Sequence, residues 1–363
     1  MHTLDHRSTD LRTVDLRKVP LQPNRWKYIL SVLLAQNNWR HATKSKGVSH
    51  ETMEDRRQFL FRTFDFLRNH PSRPVKLDPR SFSGRHLEML FEHYEARARK
   101  GKLSPSSLQK HHSILRTFAT WIGKPDLVKP IDAYIRDPAL HGRSYVATES
   151  KSWRANGVDV QEKVKEIALY DERAASAVEM MEAFGLRFKE AVMFRPNVDV
   201  LTSAQAGKDE SPISHYLRLA RGTKGGLLRY VPVDSPQRQQ AIARAQRVAA
   251  GESESLSDPH YTLVGAIRHL RYVMEKFGIT KRELGVVPHG LRHQYVADEF
   301  RARTGVAPPV EGGPKLDKDV DLAARSEISE QVGHARTQIT NAYLGSSAVM
   351  RRRGLKPSDP PMT

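Results

Sequence analysis

Residues 289–293 read HGLRH: two histidines four apart, with Arg292 between them. On a helix, that spacing puts both imidazoles on one face with the guanidinium alongside. A metal pair is one reading of the histidines. The intervening residues are Gly, Leu and Arg, no carboxylate ligand stands nearby, and a cation in the same region disfavours zinc. Working outward, three other short segments matter together with this one. Upstream lie Gly185-Leu186-Arg187 with Glu190, and Lys224 in a Thr-Lys-Gly-Gly turn. Downstream lie Gly333-His334 and, nine residues after that histidine, Tyr343. Each has a plain reading by itself. Arg187 can bind a helix carbonyl, Lys224 can be solvated, His334 can start a helix, and Tyr343 can be a core aromatic. The order and local context of all four segments together carry the argument.

The chain around them divides into a helical part and a mixed part. Trp26, Ile29, Leu30, Leu33 and Leu34 recur at helical spacing. A second helix is predicted from the cap Ser49 to about Asn69, burying Met53, Leu60, Phe64 and Leu67. A third carries Leu87, Leu90, Phe91 and Tyr94 and stops near Gly101. A fourth follows Ser104-Pro105, turns Leu108, Leu115, Phe118 and Ile122 inward, and ends at Gly123. Residues 124–160 lose the period and read as a linker. A long helix through Ile167, Val178, Met181 and Phe184 then breaks at Gly185. HYLRLARGTKGGLLRYVPV (215–233) reads as a β-hairpin. Helices follow near 236–250 and 260–278, the Gly/Pro/Asp-rich segment 304–322 reads as an insertion loop, and a helical pattern resumes from Ser326 to about Leu344. The fold class is mainly α with a small antiparallel β-sheet. Its organisation is an N-terminal extension (1–24), a helical domain (25–123), a linker (124–160), an α+β domain (161–350) and a C-terminal tail (351–363).

Composition narrows the function. Fifty-nine Lys and Arg against 41 Asp and Glu give a net charge of +18 and a pI near 10.0, which favours a polyanionic partner. Cysteine is absent, so disulfides and thiolate chemistry are excluded. No apolar stretch approaches the roughly 18 residues of a membrane span, and the N-terminus is not a secretory signal. Basic runs on the helical domain make Arg40, Lys44, Lys46 and Lys110 candidate DNA contacts, although a charged run is more often a solvated face.

At Gly185-Leu186-Arg187-Phe188-Lys189-Glu190, Lys224, His289-Gly290-Leu291-Arg292-His293, Gly333-His334 and Tyr343, the sequence resembles the tyrosine recombinase and phage integrase family. Arg229-Tyr230-Val231-Pro232 resembles that family's second hairpin strand. The resemblance covers roughly residues 25–350, with specific motifs only in 185–343. It implies a core-binding helical domain followed by a tyrosine-recombinase catalytic domain, closing as a clamp on double-stranded DNA. It also implies the site roles. Tyr343 is the nucleophile, and Arg187 and Arg292 hold the phosphate. Lys224 is the general acid, His289 assists proton transfer, and His334 bonds the phosphate. Glu190 and His293 support the site. Neither metal nor nucleotide cofactor is called for.

The implied activity is site-specific recombination at the chromosome in the cytoplasm. It runs through a 3′-phosphotyrosine and a Holliday junction in a homotetramer that assembles from monomers or weak dimers. It would serve integration or excision of a mobile element, with possible directionality or host accessory proteins. The alternatives are a DNA-binding relative without catalysis and a type IB topoisomerase-like activity. Three features depart from the family pattern. His334 lies 42 residues after Arg292 (334 − 292), a long spacing that the 304–322 insertion accounts for. Gln294 stands where many relatives carry a small hydroxyl residue. The N-terminal extension is short for an arm-type DNA-binding domain.

Overall fold

Local capping starts the helices of the first unit. In the computed structural model, which describes residues 10–41, 45–334, 336–352 and 354, Ser49 accepts a hydrogen bond from the Thr52 amide and opens α2 (His50–Arg68). Ser104 accepts from the Ser107 amide, with Pro105 in the first turn of α4 (Pro105–Trp121). Before and between them run α1 (Trp26–Asn37) and α3 (Gly84–Arg99). The chain separates into two compact units, 1–143 and 144–363.

The first unit buries Ile29, Leu30, Leu60, Phe64, Leu67, Leu87, Leu90, Leu108, Leu115 and Phe118 in one core. Phe64 meets Phe118 edge to face at 5.4 Å and Phe82 at 5.8 Å. Burial of each such ring contributes about 1.5–3 kcal/mol. Met53 and Ile122 sit at the margin of this core, only partly buried. Residues 124–143, which lack helical period, nevertheless pack here. Val128 and Ile135 are buried, and Tyr134 stacks on Phe91 at 4.1 Å just before the short helix α5 (Pro138–His141). Arg40 and Lys46 are exposed on a two-residue bridge pairing Arg40 with Gly47. Lys110 is exposed on α4 and pairs with Asp55 at 2.6 Å. Lys44 lies outside the described residues.

Residues 144–160 open the second unit, where Trp153 is completely buried. The long helix expected through Ile167 and Phe184 is two helices, α6 (Val160–Ala168) and α7 (Glu172–Phe184). Asp171 caps the second by accepting from the Ala174 amide, a local signal that outweighs the continuous apolar period. Then come α8 (Phe188–Met193), α9 (Pro196–Asp199) and the strands β1 (Val200–Thr202), β2 (His215–Leu219) and β3 (Arg229–Pro232). They form an antiparallel sheet in the order β1-β2-β3, with Leu217 opposite both Val200 and Val231. The hairpin is where the sequence places it. β1, at three residues, is too short to show an alternation.

The remainder is helical: α10 (Pro236–Val248), α11 (Leu263–Lys276), α12 (His289–Thr304), α13 (Lys318–Gln331), α14 (Asn341–Leu344) and α15 (Ser347–Arg352). The 304–322 loop is shorter than expected. Asp317 accepts from the Asp319 and Val320 amides and starts α13 at Lys318. The helical stretch expected from Ser326 to Leu344 also divides, because α13 stops at Gln331. Val178, Met181, Phe184, Leu217, Val231, Leu291, Tyr295, Phe300 and Ile328 share this unit's core. Among the described residues no helix is long and apolar enough to cross a membrane.

Candidate active site

The site is assembled where helices end. At the end of α7, Gly185 adopts a left-handed conformation (φ 58°), and a Cβ there would stand 2.5 Å from the Tyr295 ring. Only glycine meets both demands. The turn makes Arg187 the residue before α8. Glu190, three residues on, accepts from the Arg187 amide at 2.7 Å and from its guanidinium at 2.7 Å. At the end of α13 the same device recurs. Gly333 has φ 63°, and a Cβ there would press on the Arg229 side chain at 3.0 Å. The preceding Val332 carbonyl, left free by the helix end, accepts from Arg187 at 3.3 Å and from Arg292 at short range. Arg292 is completely buried and also donates to the Gly185 carbonyl at 2.6 Å. One helix terminus thus brings two guanidiniums side by side.

Tyr343, on α14, closes the site. It is buried, and its hydroxyl accepts from Arg292 Nε at 3.3 Å. Three imidazoles surround its ring, with centroids at 4.6 Å for His293, 5.6 Å for His334 and 6.0 Å for His289. The buried Nδ1 atoms of His293 and His334 have no hydrogen-bond partner among the described residues. Lys224 is exposed in the turn between β2 and β3, and its charge reaches His334. The eight catalytic and supporting residues proposed from the sequence lie in the second unit; seven of them meet at Tyr343 or the arginines beside it, while Lys224 stays on its exposed turn. Arg40, Lys46 and Lys110 lie in the first unit.

The cluster is cationic. Burial alone would raise the Glu190 carboxyl, but hydrogen bonds and charge from Arg229, with Arg187, hold it down at about 2. Burial lowers Arg292 to about 10, with Arg187 and Arg229 adding repulsion and Tyr343 and Glu190 opposing it, so it stays charged at neutral pH. Burial also lowers His293 and His334 to about 3. His289 is exposed at the surface of the site. The protein packed around it and the charges of Arg292, Arg187 and Lys151 hold it at about 4. All three imidazoles are neutral at pH 7. Among the described residues no group of three or more His, Asp or Glu could hold a metal ion.

Residues 142–298 match the integrase family model. The match covers less than half of the chain. With its arginine, histidine and tyrosine motifs in order, the chain resembles the tyrosine recombinases. The chain is also similar to a lambda integrase fragment, solved as a dimer bound to a core site. The TM-score is 0.53 at 13% identity, covering 88% of this chain and 95% of that one. At that identity the likeness is one of fold. Other similar structures are the XerH site-specific recombinase bound to its difH substrate and the Tn1549 transposon integrase with transposon end DNA. The first has TM-score 0.47, 12% identity, and coverage of 90% of this chain and 83% of that one. The second has TM-score 0.47, 15% identity, and coverage of 90% and 99%. A search of the curated proteins finds no significant match.

The integrase segment contains Arg187, Glu190, Lys224, His289, Arg292 and His293, while His334 and Tyr343 lie beyond its end. One residue of the buried cluster escapes sequence reasoning as a site residue. Arg229, on β3, is buried and makes a paired contact with Glu190 at 2.9 and 2.7 Å, plus a bond to the Gln331 carbonyl at 2.8 Å. The available signal was an arginine at an inward position of a strand whose other inward residue is Val231.

The neutral histidines make this unit acid-sensitive. In the unfolded chain an imidazole titrates near 6.5. Below that pH the unfolded state takes up protons that the folded site refuses. Stability is therefore full above pH 6.5 and is lost as the pH falls toward the folded values. For the buried His293 the loss reaches about 2 kcal/mol at pH 5. Glu190 acts in the same direction, with its contribution lost only between its ordinary 4.5 and about 2. The melting temperature is expected to fall from pH 7 to pH 5, and to fall less in His293→Gln. An equal fall in that variant would exclude this imidazole as the source.

Proposed function

We propose that this protein is a tyrosine-type site-specific DNA recombinase, with Tyr343 as the nucleophile. The observation that carries this reading is the Tyr343 hydroxyl held by Arg292, close to Arg187 and Arg229, which share one carboxylate, Glu190. A phosphodiester supplies the negative charge that this cluster lacks. Each guanidinium has more N–H donors than its protein partners take up, so Arg187 and Arg292 both have donors left for the non-bridging oxygens.

Tyr343 Oη then bonds to phosphorus as the bond to the 5′ oxygen breaks, leaving a 3′-phosphotyrosine. Lys224, on its exposed turn, gives the departing 5′ oxygen its proton. His289, neutral at working pH, accepts the phenol proton. Desolvation and then arginine repulsion suppress its basicity, and the arriving phosphate offsets the repulsion. His334 bonds a phosphate oxygen, His293 packs against the Tyr343 ring, and Glu190 fixes the arginines. The tyrosine phenolate is a better leaving group than an alkoxide, so a 5′-hydroxyl from a partner strand can attack the phosphotyrosine, form the new P–O bond and release Tyr343. Two such exchanges among four protomers pass through a Holliday junction and integrate or excise a mobile element. The first unit, with Arg40, Lys46 and Lys110 exposed, holds the flanking duplex.

Denaturing capture of the protein from cells carrying its native locus, with sequencing of attached DNA, tests the reading. Wild type is expected to retain DNA ending at one locus, and Tyr343→Phe none. DNA retained by both, or by neither despite strong native binding, would overturn the chemistry.

A further inference from the structure

Lys151 lies on a short strap, Ser150–Arg154, that is pinned along the site. Trp153 Nε1 donates to the Val287 carbonyl at 2.9 Å, two residues before His289. The Arg154 amide donates to Gln294 Oε1 at 3.0 Å, next to His293. The Lys151 carbonyl stands where a side chain on Gly290 would be. Its backbone is thus fixed against the first turn of α12, which carries His289, Arg292 and His293. The side chain is exposed and has no hydrogen-bond or ion-pair partner among the described residues. Its charge bears on His289 and His293, whereas that of Lys224 bears on His334. Two lysines on separate elements therefore act on different histidines of the site.

The strap is also tied to the segment that lengthens the Arg292–His334 spacing. Ser150 Oγ donates to Glu311 Oε1 at 2.8 Å and Ser152 Oγ at 3.4 Å, while Arg301 holds the other carboxylate oxygen. Val310 abuts Gly345, two residues after Tyr343, and the Ala147 amide donates to the Asn341 carbonyl at 2.8 Å. The inserted turn Pro309–Glu311 therefore touches both the strap and the tyrosine segment.

We infer that Lys151 binds a DNA phosphate next to the one Tyr343 attacks, and that Glu311 is a positioning residue that holds its strap in place. The assignment rests on the recombinase reading above. An ammonium on a fixed backbone, beside neutral imidazoles and arginines already committed to the central phosphate, has an adjacent phosphate as its natural counter-charge. Glu311 is taken up by Ser150, Ser152 and Arg301.

The test uses the full chain on a short nicked duplex of the captured sequence, which traps the covalent adduct. Lys151→Ala is expected to slow adduct formation about tenfold, to lower the slope of log affinity against log salt by about 0.9, and to leave melting unchanged. Lys151→Arg restores the rate. A methylphosphonate at one position beside the cleavage site slows wild type but adds nothing in Lys151→Ala. Glu311→Ala gives a smaller loss, absent when residue 151 is already alanine. A wild-type rate in Lys151→Ala, or losses that multiply with every methylphosphonate, overturns the phosphate contact. A further loss from Glu311→Ala in the Lys151→Ala background overturns the positioning role. No Tyr343-dependent adduct with wild type overturns the recombinase reading, and this assignment with it.

Discussion

Arg187→Ala is expected to lower the single-turnover rate of DNA cleavage about 10²–10³-fold while duplex binding at the same salt stays nearly unchanged. Arg187 is half-buried, shares the Val332 carbonyl with Arg292, and is anchored by Glu190 at 2.7 Å. Its remaining donors serve the phosphate most strongly when charge builds on the non-bridging oxygens, so the loss falls on the transition state rather than on binding. The fold tolerates the change, because Glu190 keeps its two bonds from Arg229. Arg187→Lys keeps the charge but loses the planar fork, and is expected to recover only part of the rate. Equal losses in cleavage and binding would assign Arg187 to DNA anchoring instead.

The second large effect is on stability. Glu190→Ala is expected to destabilise the second unit by about 3–5 kcal/mol, the usual cost of leaving a buried charge unpaired. Arg229 is 5% exposed and would lose both of its charge-assisted bonds. Arg187 would lose its anchor, and the cluster would hold three guanidiniums without the carboxylate that offsets them. Thermal melting of the full chain measures the loss, and combining Glu190→Gln with Arg229→Met is expected to recover most of it. A loss below about 1 kcal/mol would mean that water reaches the pair freely and that Glu190 is not the keystone of the cluster.

Much of this architecture is local and therefore legible. Ser49 and Ser104 announce helix starts because a cap and the amides it serves lie within three residues. Lys224 is legible as a turn residue because Gly225 and Gly226 permit the reversal between β2 and β3. The break at Asp171 and the start of α13 at Asp317 use the same kind of cap, but each lies within a pattern that reads as something else: continuous apolar spacing in one case, Gly/Pro-rich loop in the other.

The sequence by itself determined the helical and mixed halves of the chain, the hairpin, the surplus of positive charge, and the motif residues from which a site is proposed. Only the tertiary structure decided how those residues meet. Arg292 reaches the Gly185 carbonyl across 107 residues and the Val332 carbonyl across 40. Arg229 acquires its place only because β3 sets it beneath Glu190, 39 residues away. The two packed halves of residues 124–160, and the tie from Glu311 to the strap of Lys151, appear only once the cores have formed. The physical reason is that caps and periodicity act over three or four residues. The partners of a buried charge are set by where helix ends and strands come to rest, and spacing along the chain does not encode that.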